Sequence, residues 1–101
     1  MVKKFKKAHN IVYVNCHEAA LRLKFNITKE SLTEGVIEFK VGWSLLSFGE
    51  KFRIIITEMT PSLTKVEVES EAAVKAQVID WWKNDSNINS FFKTLTETLN
   101  R

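Results

Sequence analysis

Glycine, proline, cysteine and histidine are all scarce here: three, one, one and two among 101 residues. Each shortage excludes a chemistry. Isolated glycines at 35, 42 and 49 cannot build a phosphate-cradling loop, and no Walker motif, nucleophile elbow or zinc ribbon occurs. A lone Cys16 excludes an internal disulfide and is compatible with a reducing compartment. His9 and His17, without a third clear ligand, make a poor metal-site signal. No run approaches the ~20 apolar residues that a membrane-spanning helix needs. The opening MVKKFKKAHN has the lysines of a signal peptide, but Asn15, His17 and Glu18 break the apolar run that should follow. The expectation is a single cytoplasmic domain over residues 1–101. A net charge of +3 gives no field of one sign. Lys3, Lys4, Lys6 and Lys7 cluster at the start, and Glu67, Glu69 and Glu71 later, so no basic stripe is evident and nucleic acid is not an expected partner.

What is present is alternation. Ile37, Phe39 and Val41 alternate with Glu38 and Lys40; Phe52, Ile54 and Ile56 with Arg53 and Thr57; Val66 and Val68 with Lys65, Glu67 and Glu69. Side chains in a strand turn to opposite faces with period two, so residues 35–70 predict a sheet with one oily and one wet face. Phe25 and Ile27 begin a further strand, and Gly35 closes the turn that follows it. The Lys3–Lys7 stretch reads as a short edge strand or a frayed arm, where lysine discourages pairing with other chains.

Two helices are predicted. Asn10 is the expected N-cap of the first, with Val12, Cys16, Ala19, Ala20 and Leu23 on one stripe. The second is clearer: Ile88, Phe91, Phe92, Leu95 and Leu99 recur at helical spacing. Laid across the oily sheet face, they contribute on the order of 10 kcal/mol before entropy is counted. Residues 71–84 fit either a helix or a loop. Trp81 and Trp82 are adjacent, so they cannot share one face of either regular element.

Nothing here points to catalysis. Cys16 on an apolar stripe is a small hydrophobe rather than a reactive thiol. Glu67, Glu69 and Glu71 share one strand parity with Lys65, which fits a solvated cross-strand charge ladder with Arg53. The unusual piece is GWSLLSFGE, which puts Trp43, Leu45, Leu46 and Phe48 between two glycines. It either folds over an open end of the core or offers apolar surface to a partner.

The segments GWSLLSFGEK and VIDWWKNDSNINSFF resemble a family of small bacterial α+β domains of unknown function. The matching residues are Trp43, Ser44, Gly49 and Glu50, then Asp80, Trp81, Lys83 and Asn84, and the likeness covers about the last two-thirds of the chain. The chain departs from that pattern in lacking a proline within 75–78 and in carrying Trp82 at a small-residue position. The resemblance implies a compact antiparallel sheet covered on one face by helices, and no particular activity. The element order is also similar to one repeat of the TATA-binding-protein fold, which implies a binding sheet. It is similar too to helix-grip domains, which implies an apolar pocket.

The expected architecture is α+β: a mostly antiparallel sheet of about four strands, two helices on one face, in the order (β)-α-β-β-β-β-α. The expected function is a non-enzymatic binding or interaction module that uses an aromatic loop, with Trp43, Leu46, Phe48, Trp81 and Trp82 as its contact residues. Alternatives are a carrier of a small apolar ligand, with a pocket between sheet and C-terminal helix, and a self-associating subunit such as a homodimer. No metal, cofactor or catalytic residue is expected.

Overall fold

The alternation of residues 36–70 does build a sheet, and every strand pair in it is antiparallel. The computed structural model describes residues 1–41, 50–70 and 86–100. Among the described residues there are five strands where about four were expected: β1 (Val2–Phe5), β2 (Asn26–Ser31), β3 (Val36–Val41), β4 (Glu50–Thr60) and β5 (Leu63–Ser70), in spatial order β1-β5-β4-β3-β2. The fifth is the lysine-rich start, expected as either an edge strand or a frayed arm; main-chain pairing with β5 (Val2 opposite Glu67 through Phe5 opposite Thr64) makes it an edge strand. Lys3 then reaches inward, with its ammonium 5.4 Å from the Phe92 ring centroid.

Helix α1 (His9–Arg22) carries the chain across to the far edge, from which β2 to β5 return as a meander. The cap residue of α1 is Ala8, without a side-chain cap bond, so Asn10 lies in the first turn and is not the cap. At the other end Lys24 adopts φ 60°, Lys24 N–H donates to the Leu21 carbonyl (3.0 Å) and Phe25 N–H to that of Ala20 (2.9 Å). This is a Schellman closure with lysine in the position that usually takes glycine, and it delivers Phe25 into the core. The turn before β3 does use glycine. Gly35 sits at φ 68°, and a Cβ there would fall 2.4 Å from the Ile56 carbonyl oxygen.

Both helices cover the same face. Phe39, Phe52, Ile54, Ile56, Val66 and Val68 are buried beneath α1 and α2 (Ser86–Leu99), whose Ile88, Phe91, Phe92, Leu95 and Leu99 are buried as their spacing predicts. A run of rings threads this layer: Phe25–Phe39 at 4.7 Å, Phe39–Phe52 at 5.2 Å, Phe39–Phe91 at 6.3 Å and Phe91–Phe92 at 5.6 Å between centroids. Such pairs add about 0.5–1.5 kcal/mol each beyond the area they bury. Cys16 is fully buried among them, and burial pushes its thiol well above the ordinary 9.0. It packs there as a small hydrophobe.

Candidate functional site: the outer face of the sheet

The face away from the helices is polar, and the strand register fixes which charges meet. Lys29, Glu38, Arg53 and Glu69 stand directly opposite one another across β2, β3, β4 and β5. Their signs alternate. Arg53 donates from Nη2 (3.3 Å) and Nε (3.4 Å) to Glu38 Oε1. Of the ladder expected from Glu67, Glu69, Glu71, Lys65 and Arg53, the register sets only Arg53 opposite Glu69; Glu67 stands opposite Val2 and Ile55, Lys65 opposite Lys4 and Thr57, and Glu71 lies outside the described residues.

Lys29 joins the row because of a bulge. The register shifts between Ile27, opposite Phe39, and Lys29, opposite Glu38. Without the extra residue, Ile27 and Lys29 would face the same way. The bulge turns Ile27 inward and Lys29 outward, and Thr28 Oγ1 donates to the Glu38 carbonyl at 3.3 Å beside it.

The next row does not alternate. It runs Asn26, Lys40, Lys51, so two lysines face each other across β3 and β4. Neither makes an ion pair among the described residues. Like charges directly opposite are destabilising. The two rows border an open depression of about 580 Å³, into which Lys40, Lys51, Arg53 and Glu69 turn. Its floor is contributed by Phe39, Phe52 and Ser70, whose side chains belong to the core.

The two histidines are separate. His9 donates from Nε2 to the Ile56 carbonyl at 3.0 Å, which fixes that nitrogen as protonated and ties α1 to β4. His17 lies 2.6 Å from Glu30 Oε2 and ties α1 to β2. Among the described residues, no group of three or more His, Cys, Asp or Glu side chains is arranged to hold a metal ion, and no helix is long and apolar enough to cross a membrane. The contact residues expected from the sequence, Trp43, Leu46, Phe48, Trp81 and Trp82, lie outside the described residues. The segment 71–84, open between helix and loop, lies there too. Missed in the sequence was the lysine pair. Its two members are visible as wet-face positions, but the connection 42–49 hides their register.

The chain matches no protein-family model and no curated protein.

Proposed function

We propose that the chain is a non-enzymatic binding module that engages its partner through Trp43, Leu46, Phe48, Trp81 and Trp82. The supporting observation is where the stretches bearing these residues join the fold. Residues 42–49 run from Val41 to Glu50, which are register partners at one end of the sheet. Residues 71–85 leave from Ser70, which pairs with Phe52 at that same end. All three tryptophans of the chain therefore belong to two stretches anchored side by side.

The core supports the same reading. The oily sheet face packs against α1 and α2, whose apolar residues join it in one buried cluster. Apolar residues beyond what a core requires point to interaction surface. The carrier reading draws less support. Phe91, Leu95 and Ile88 are essentially without exposed surface, and Phe91 meets the Phe39 ring directly, so helix and sheet pack against each other there.

The test is the pair Trp43→Ala and Trp81→Ala. Each should shift the melting temperature by less than about 4 °C, the equivalent of roughly 1 kcal/mol. Partners retained by the wild-type chain from source cells should be lost from both variants. A collapse of stability would mean instead that these rings are core. Retention of only a second copy of the chain, with a dimer on sizing, would assign the surface to self-association.

A further inference from the structure

We propose that the outer-face depression binds a phosphorylated small molecule of nucleotide size, its phosphate clasped between Lys40 and Lys51. The lining contains none of the tryptophans, so the proposal does not rest on the interaction reading.

Adjacent rows of the outer face differ in their charge. Where Lys29, Glu38, Arg53 and Glu69 meet, every neighbour is of opposite sign. One row along, Lys40 and Lys51 are register partners, and neither forms an ion pair among the described residues. Cβ atoms of directly opposite residues lie only about 5 Å apart, so the pair carries a repulsion that a single Lys→Glu change would turn into attraction. An anion between the two ammonium groups removes that repulsion. A carboxylate would neutralise one lysine. A phosphate monoester carries about −1.5 to −2 at neutral pH and matches both.

The surroundings define the rest of the ligand. The depression holds about 580 Å³, within the roughly 300–1,000 Å³ range of small-molecule pockets. Glu69 and Glu38 border it as acceptors suited to hydroxyl or amino groups, and Arg53 and Lys29 add cations beside the lysine pair. The same carboxylates, with Glu67 beyond them, oppose an extended phosphate backbone lying along the face. A compact phosphate fits where a polynucleotide does not.

A built-in control exists. Lys4 and Lys65 form a second directly opposed lysine pair on the outer face, at the β1 edge and away from the depression. The experiment is calorimetric titration of the full chain with adenosine 5′-monophosphate, pyrophosphate, adenosine and a single-stranded oligonucleotide. The monophosphate and pyrophosphate should bind and adenosine should not. Lys40→Glu should weaken binding about tenfold or more while raising the melting temperature by roughly 2–4 °C, because it creates a cross-strand ion pair. Lys51→Gln should weaken binding without the thermal gain. Lys4→Glu should leave binding unchanged. The proposal is overturned if neither phosphorylated probe binds in the millimolar range, or if adenosine binds as well as its monophosphate. Equal weakening by Lys4→Glu, or tighter binding of the oligonucleotide, would also overturn it, since either would reduce the effect to general surface charge.

Discussion

Phe39 and Glu38 are adjacent in β3, yet their neighbours obey different physics. Phe39 stacks on Phe25 and Phe52 and touches Phe91, all within a layer that water does not reach. Glu38 meets Arg53 on the other side of the same strand, in solvent. On the inner face, position is fixed by volume: each ring fills space that another ring leaves. On the outer face, position is fixed by register, and charge decides only whether a given row is comfortable. The inner face therefore specifies the fold, while the outer face is left free to carry a ligand site that stability does not demand.

The inner face should break first. Phe91→Ala removes the ring that joins α2 to Phe39 and should cost about 3–5 kcal/mol. That is a large share of the roughly 5–15 kcal/mol that a domain has available. Urea denaturation should show the midpoint falling steeply, or no folded baseline at all. A cost below about 1 kcal/mol would mean that α2 does not depend on this layer.

A titration sharpens the contrast, because a thiol in the inner layer cannot ionise in place. An unfolded chain releases the Cys16 proton near 9.0, whereas burial holds it in the folded chain to higher pH. Above pH 9.0 the unfolded state thus binds fewer protons than the folded one, and stability falls as pH rises, by about 1.4 kcal/mol per unit for one proton. Tyr13, raised first by burial and then by Glu30, adds a second loss above its ordinary 10.0. Urea midpoints measured between about pH 8 and 11 should drop in the wild type and drop less in Cys16→Ala. Equal slopes in the two proteins would mean that solvent reaches the thiol.

The same contrast governs what the sequence discloses. Ile37, Ile54 and Val68 announce their face through alternation alone, and the Phe91–Leu95–Leu99 stripe announces the helix that covers them. Strand β1 is legible only as an edge strand or a frayed arm, because Phe5 is its only inward anchor of size and main-chain pairing does the rest. Asn10 misleads because Ala8 begins the helix through its backbone, without any side-chain bond. The bulge at Thr28 moves Lys29 from one face to the other, and no residue type in NITKES marks it. The lysine pair is the plainest case. Parity puts Lys40 and Lys51 on the wet face, but only the register that spans residues 42–49 sets them opposite each other. Periodicity is a property of one strand; a site on a sheet is a property of several.

The smallest expected effect lies in the alternating row. Arg53 reaches a single oxygen of Glu38 at 3.3 and 3.4 Å, and both side chains are substantially in contact with water. Exposed pairs of this kind contribute roughly 0.2–1 kcal/mol. Arg53→Gln should therefore shift the urea midpoint only slightly at low salt. At about 1 M salt the Debye length shrinks to about 3 Å and the difference from wild type should vanish. The loss in Phe91→Ala should not shrink in this way, because screening does not act on ring packing. If Arg53→Gln costs as much as Phe91→Ala, or keeps its full cost in high salt, the outer row is structural in its own right. The freedom to place an unbalanced lysine pair beside it would then need another source.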